Sequence, residues 1–194
     1  MTAFETLKEI IRTRRSIKPT AMNGQHIPDS IITEILKTAD WAPTHGRTEP
    51  WRFYVYGPQQ VKHFCENHAQ ICLNNKSGLV FDPEKIARIK QQGDRVSHIV
   101  LVAMQRTPQT KIPLVEELAA TATAVGYILL QATALGISSL WSTGGCILKD
   151  DMKDYLKLSA EDQILGALFL GYTDAEAQDG KRNIAIEEKI KWMP

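Results

Sequence analysis

Apolar residues at the start of the chain recur at the spacing of an α-helix. Phe4, Leu7, Ile10 and Ile11 fall on one face of such a helix. The pattern therefore predicts an amphipathic helix over residues 2–13, ending at a group of basic residues.

The same periodicity returns in "IPDSIITEILKTADWAP". Asp29 or Ser30 is a start signal for this second helix, and Pro43 is a stop signal. The segments "QQVKHFCENHAQICLNN", "DPEKIARIKQQ" and "LKDDMKDYLKL" predict further helices. The expected buried stripe of the second helix is Ile31, Ile32, Ile35, Leu36 and Ala39.

Four other segments have the composition of β-strands. "PWRFYVYGP" alternates large and β-branched residues between prolines. "HIVLVAM" is a continuous apolar run of strand length, which suits a sheet covered on both faces. "GISSLW" and "DQILGALFLGY" predict two more strands, the second of them strongly apolar.

Residues 118–148 contain no charged side chain, and an uncharged stretch of this length could cross a membrane. Polar side chains interrupt this stretch, and Gly136 before "ISSLW" indicates a helix end followed by a short strand. We therefore expect a helix that begins near Pro113 and is buried on all sides, rather than a transmembrane span. Glu116 and Glu117 in its first turn complement the helix dipole.

The predicted order is helix, helix, strand, helix, helix, strand, helix, strand, helix, strand, which indicates a layered α+β fold. Apolar residues make up 43% of the chain and charged residues 23%, so the composition is that of a globular protein rather than a disordered one. No repeat or linker divides the 194 residues. We expect a single domain over residues 1–194.

Charge and cysteine content narrow the possible functions. A formal net charge of +1 gives no overall field toward nucleic acid or an anionic membrane, so any basic site must be local. Three cysteines are too few for a disulfide framework and favour reduced thiols in a cytoplasm. Glu5 and Glu9 interrupt the first apolar segment, which argues against a signal peptide.

Arg14, Arg15 and Lys18 surround Ser16 where the first helix is expected to end. A helix C-terminus carries partial negative charge, so these cations could simply complement the dipole. Alternatively, two guanidinium groups, a hydroxyl and an ammonium converge on one dianion, where each charge-assisted hydrogen bond contributes about 1.5–3 kcal/mol. The residues alone leave both interpretations open.

Two further segments combine aromatic, polar and glycine residues. In "DWAPTHGRTEPWRF" we expect Trp51 to be a core residue, whereas packing alone does not explain His45 beside Gly46. In "LWSTGG" adjacent glycines let the backbone turn tightly or approach a flat ligand closely. Neither a P-loop nor a G-x-G-x-x-G motif is present.

The ordered set "RRSIK", "WAPTHGRTEPWRF", "LWSTGG", "ILGALFLGY" and a late "GKR" resembles the FMN-dependent nitroreductase family, particularly its short members. The similarity covers nearly the whole chain. It implies a three-layer α+β fold with a central mixed sheet flanked by helices, and an intertwined homodimer that binds FMN at the subunit interface. It also implies hydride transfer from NADH or NADPH to FMN, then to a nitro compound, a quinone or a related acceptor.

The resemblance also assigns cofactor-binding residues. Arg14 and Ser16 match positions that grip the FMN phosphate and ribityl chain, with Arg15 between them. Lys18 matches a basic position near the pyrimidine edge of the flavin, where a cation stabilises the charge of the reduced ring. Because the chemistry belongs to FMN, no catalytic side chain is implied.

Three other segments complete this implied site. A late basic residue near the phosphate is matched by Lys181 or Arg182. The loop that the second subunit lays against the cofactor is matched by Trp41, Thr44, His45 and Arg47. The segment that passes the isoalloxazine ring is matched by Trp141, Ser142, Thr143 and Gly144.

The loop departs from the family pattern at Arg47 and Glu49, where short members usually carry Asn and Gln. Either an Arg47–Glu49 ion pair replaces those amides, or Arg47 binds the ring edge directly. Two functional alternatives remain: a protein of the same fold that sequesters or senses flavin without efficient turnover, and an unrelated α+β domain without flavin.

A metal site is a further alternative. His63, Cys65, His68 and Cys72 are metal-capable, and the last three share a helical face. The tight, paired spacing of a structural zinc site is absent, so we expect no metal. The competing interpretation is buried thiols and a surface histidine.

Overall fold

A computed structural model describes residues 1–176 and 179–194. Its helices are α1 (Ala3–Thr13), α2 (Asp29–Ala39), α3 (Val61–Leu73), α4 (Pro83–Gln91), α5 (Leu114–Ala134) and α6 (Asp150–Tyr155). Its strands are β1 (Trp51–Tyr56), β2 (His98–Met104), β3 (Ser138–Ser142) and β4 (Gln163–Gly171). The types of these helices and strands and their order along the chain agree with the prediction.

Local hydrogen bonds of Thr2 and Glu5 fix the start of the first helix. Thr2 accepts a hydrogen bond from the Glu5 backbone N–H, and the Glu5 carboxylate accepts one from the Thr2 N–H, which completes a capping box. The apolar stripe is present, yet α1 has no buried residue, and Phe4 is 75% and Leu7 53% exposed. The single chain therefore leaves the apolar face of α1 uncovered.

The four strands form one sheet in the order β1-β2-β4-β3. The expected mixed sheet needs correction here, because all three neighbouring pairs are antiparallel. Helix α5 returns the chain so that β3 runs in the direction of β2, but β4 lies between them and runs the opposite way. Among the described residues, parallel pairing is confined to one bridge between Ser16 and Ser139.

Helices cover the sheet on both faces, which produces the expected three layers. Val100 and Leu168 face α2 and α5, whereas Ile99 and Phe169 face α3 and α6. The strand β2 is buried along its whole length, as its continuous apolar run predicted.

Helix α5 is long and apolar enough to cross a membrane, and it is the central helix of this core. Ala124, Val125 and Ile128 are fully buried beside the sheet, which supports the interpretation as a core helix. It is not buried on all sides, because Thr123 and Gly126 on its outer face are partly exposed in the single chain. Residues 179–194 are also exposed.

Candidate functional site

The basic cluster runs directly from the end of α1 to the edge of the sheet. Arg14 is the C-cap residue, and its N–H donates to the Ile10 carbonyl at 3.1 Å. Three residues later, the Ile17 N–H donates to the Ser139 carbonyl at 2.9 Å. The fold therefore brings the basic cluster beside β3, the strand that leads into the "LWSTGG" segment.

The cations of this cluster differ in what they contact. The Arg15 guanidinium donates to the Arg12 carbonyl in the last turn of α1, the contact that the dipole interpretation predicts. Arg14 is half-buried and Lys18 is exposed, and across residues 1–176 and 179–194 neither side chain has a hydrogen bond or ion pair. Within the described part of the chain, these two cations are thus free to bind an anion.

An open cleft of about 950 Å³ separates α1 from the segment that begins at Asp179. Arg15 and Arg182 both line this cleft, whereas Lys181 is outside its lining. A Cβ at Gly180 would be 2.5 Å from Arg15 Nη1, so the missing side chain makes room for the guanidinium. The cleft is lined by Phe4, Leu7, Lys8, Ile11, Arg12, Thr13, Arg15, Asp179, Gly180 and Arg182.

Ser139 is a candidate site residue that the sequence did not reveal. It is 2% exposed, and its Oγ has no hydrogen-bond partner among the described atoms. Leaving a buried hydroxyl unpaired costs free energy, so this group beside Ser16 is available to a ligand. The one signal in the sequence was a pair of serines inside an otherwise apolar strand.

The end of β3 presents an aromatic ring and then a turn of exposed backbone. Trp141 Nε1 donates to the Leu165 carbonyl at 2.8 Å, and the indole lies across Gly166, whose φ of 147° and missing side chain permit the contact. Ser142 Oγ then accepts the Gly144 N–H at 3.3 Å. Thr143 follows Ser142 and is exposed, as is Gly144.

The loop that carries Trp41, Thr44, His45 and Arg47 contacts the first turn of α5. His45 Nδ1 and Glu116 Oε2 are 2.6 Å apart. Gly46, at φ 62°, packs on Ile112, and the Ile112 carbonyl accepts from Arg106 Nη2 at 2.8 Å. Arg106 also pairs with Glu117, a fully buried carboxylate.

Individual residues of this loop differ in their burial and in their hydrogen bonds. Trp51 is a core residue, as expected, and its Nε1 donates to Asp40 Oδ1 at 2.8 Å. Trp41 is 86% exposed, and Thr44 hydrogen-bonds the Thr48 hydroxyl. Within the part of the chain that the structure describes, the suggested Arg47–Glu49 ion pair is not formed; both residues have positive φ, 56° and 45°.

The fold places this loop far from the basic cluster. His45 contacts the first turn of α5, whereas Ser139 lies beyond its last turn, and a helix of 21 residues is about 31 Å long. The strands β1 and β3 are also at opposite edges of the sheet, roughly 14 Å apart. One chain therefore holds two partial sets of the predicted residues.

The possible metal ligands are arranged differently. No group of three or more His, Cys, Asp or Glu side chains suited to a metal occurs in residues 1–176 and 179–194. The thiols are buried, and His63 is exposed, but His68 is buried and its Nε2 accepts the Cys146 N–H at 3.1 Å. Burial lowers the pKa of His68 to about 4, so the ring is neutral near pH 7.

Comparison with known proteins gives one consistent family. The model of the nitroreductase family matches residues 11–172. The Bacillus subtilis (strain 168) protein named "Putative NAD(P)H nitroreductase YfhC" is 28% identical over 188 residues, which cover 96% of this chain and 94% of that protein.

Solved structures show the same fold. A nitroreductase-like family protein from Bacillus cereus aligns with a TM-score of 0.77 at 24% identity, over 100% of this chain and 98% of that one. The FMN-dependent nitroreductase NfnB from Mycobacterium smegmatis, solved in complex with NADPH, aligns with a TM-score of 0.72 at 14% identity, over 100% of both chains. The helices and the small sheet described above are therefore a shared architecture.

Proposed function

The chain belongs to the nitroreductase family, and on that premise we propose that it is an FMN-dependent oxidoreductase that transfers a hydride from NAD(P)H to a nitro compound, a quinone or a related acceptor. The observation that carries this proposal is the division of the predicted residues between the two ends of α5. Such a division is what a site built from two copies of the chain requires.

One copy supplies the groups that hold the phosphate. Arg14 offers a half-buried guanidinium that pairs with none of the described residues, and Arg182 adds a cation from across the cleft beside Arg15. A phosphate near charge −2 needs several cations when water is largely excluded. Ser16 and the buried Ser139 hydroxyl would donate to the phosphate or the ribityl chain.

The same copy supplies the surface for the flat ring. The Trp141 indole and the exposed backbone from Ser142 to Gly144 would lie along the isoalloxazine. The Lys18 ammonium would lie near the pyrimidine edge and stabilise negative charge there. When bound, FMN supplies the redox chemistry, and the protein binds it, orients it and excludes water from one face.

The second copy would supply the loop that closes the site. Its Trp41, Thr44, His45 and Arg47 lie on a segment that contacts α5 through His45 and Glu116 and packs on Ile112 through Gly46. The uncovered apolar face of α1 and the exposed residues 179–194 of the single chain also favour a homodimer. Buried, reduced thiols are consistent with the cytoplasmic location that we propose.

Anaerobic mixing of the purified, FMN-loaded protein with NADH or NADPH tests the function. We expect at least one nucleotide to bleach the flavin absorbance rapidly, and a nitroaromatic or a quinone to restore it. A protein that binds FMN but is bleached by neither nucleotide would instead be a flavin-sequestering protein. A colourless protein that does not bind added FMN would refute both ideas.

A further inference from the structure

The last turn of α3 and the turn after β3 bring two thiols near each other. The Cys72 Sγ lies 3.3 Å from the position that a Cβ would occupy on Gly145, the residue next to Cys146, so the two thiols are close together. Both residues are buried in one apolar cluster with Ile86 and Ile89. The remaining cysteine, Cys65, packs in a different cluster, so the fold selects one pair from three thiols.

This pair lies directly beneath the segment that we assign to the flavin ring. A Cβ at Gly145 would be 2.5 Å from His68 Nε2 and 3.3 Å from Cys72 Sγ, so α3 and the turn are in close contact there. Gly145, at φ 65°, joins Cys146 to Gly144. Any movement of Cys146 is therefore passed to the exposed backbone at Gly144.

We propose that Cys72 and Cys146 form a reversible disulfide that displaces the turn at residues 142–146 and weakens flavin binding. The first half of this inference rests on the shared burial and closeness of the two cysteines, and the second half rests on the proposed function. A disulfide bond is about 2.0 Å long, shorter than any hydrogen-bonded contact between two thiols. Closing it must therefore draw Cys146 toward α3.

The oxidant is hydrogen peroxide, a two-electron acceptor that reaches the thiols from solution. The thiolate of one cysteine attacks a peroxide oxygen and the O–O bond breaks. The other oxygen departs as water, and the attacked sulfur becomes a sulfenic acid. The second thiol attacks that sulfur, which releases another water and forms the S–S bond. Two electrons pass from the sulfur pair to the peroxide, and the two thiol protons end in water.

The resting structure protects this pair from oxidation. Both thiols are inaccessible, and burial raises the pKa of Cys72 to about 12, so the reactive thiolate is scarce. The turn has no regular secondary structure, so we expect it to open more easily than the sheet. Bound flavin would hold it closed. The disulfide should therefore form faster in flavin-free protein than in flavin-loaded protein.

Peptide mapping by mass spectrometry after treatment with hydrogen peroxide tests the proposal. The flavin-free and flavin-loaded full chains are compared, with Cys65→Ser, which removes the uninvolved buried thiol, as the matched control. We expect one Cys72–Cys146 disulfide in the wild type and in Cys65→Ser, formed faster without flavin and reversed by dithiothreitol. The oxidised protein should bind FMN roughly tenfold more weakly, the loss of about one hydrogen bond.

The outcomes separate this proposal from the proposed function. Absence of that disulfide, or its formation with Cys65, would overturn the pairing whether or not FMN binds. A disulfide that leaves FMN affinity unchanged would overturn the regulatory role. A disulfide in a chain that never binds FMN would overturn the regulatory role and the proposed function but not the thiol pair. These readings need only wild type and Cys65→Ser, so they stand even if Cys72→Ser or Cys146→Ser fails to fold.

Discussion

Acidification should destabilise the protein through one buried ring, that of His68. This ring packs between α3 and the turn after β3, where its Nε2 accepts the Cys146 N–H and its Nδ1 has no partner among the described atoms. A second proton would remove the Nε2 acceptor and leave an unpaired cation in the core. Burial accordingly lowers the pKa of His68 from 6.5 to about 4.

The sign and size of the effect follow from that lowered pKa. Because the unfolded chain takes up the proton at a higher pH than the folded one, protonation favours unfolding. The stabilising contribution of the neutral ring is fully present above about pH 6.5 and is lost as the pH falls toward 4. At 1.36 kcal/mol for each pKa unit, the total loss is about 3 kcal/mol, of which about 2 kcal/mol is lost by pH 5.

Urea unfolding at about pH 7 and about pH 5, at fixed protein and flavin concentrations, measures this loss. In His68→Gln an amide oxygen can still accept the Cys146 N–H, but the side chain does not titrate. We expect the wild type to lose about 2 kcal/mol more than His68→Gln between the two pH values. His63→Gln, an exposed histidine on the same helix, should behave as the wild type. Equal losses in the wild type and His68→Gln would refute the reasoning.

Three other substitutions test separate parts of the structure. Arg14→Ala should weaken FMN binding at least about tenfold in an ultrafiltration assay and leave the dimer intact, because one charge-assisted hydrogen bond is lost. The control Lys37→Ala, which removes an exposed cation on α2, should have no effect. Unchanged FMN affinity in Arg14→Ala would remove the phosphate assignment. Leu7→Asp should dissociate the dimer in sedimentation experiments. Leu73→Asp should not, although the two leucines are equally exposed, Leu7 at 53% and Leu73 at 54%. Equal behaviour of the two variants would exclude α1 from the interface. Arg106→Ala leaves a buried carboxylate unpaired and should lower the free energy of unfolding by about 3–5 kcal/mol in urea; a change near zero would contradict the buried pair.

The sequence predicted those elements whose signals are local. The capping box of Thr2 and Glu5 lies within four residues, so the start of α1 could be predicted from the pattern. The apolar run of β2 likewise indicated a strand buried on both faces. The second helix begins at Asp29, one of its two predicted start signals, but the contact of Asp29 Oδ1 with His98 Nε2 at 3.0 Å joins distant segments and had no local signal.

Features that depend on distant residues could not be predicted. The antiparallel order arises because β4 pairs with both β2 and β3, a choice that no local pattern encodes. The unpartnered hydroxyl of Ser139 and the burial of His68 likewise depend on contacts between segments far apart in the chain. The division of the candidate site between the two ends of α5 follows from the same tertiary arrangement.

Mixed dimers test the central claim that each flavin site is assembled from two chains. One chain carries Arg14→Ala and the other carries both Trp41→Ala and His45→Ala, with different affinity tags for isolation of the mixed species. Each parental homodimer has damage in both sites and should bind FMN weakly. The mixed dimer combines an intact basic cluster from one chain with an intact loop from the other, so the account predicts one tightly bound FMN per dimer. A mixed dimer that binds no FMN tightly would contradict it.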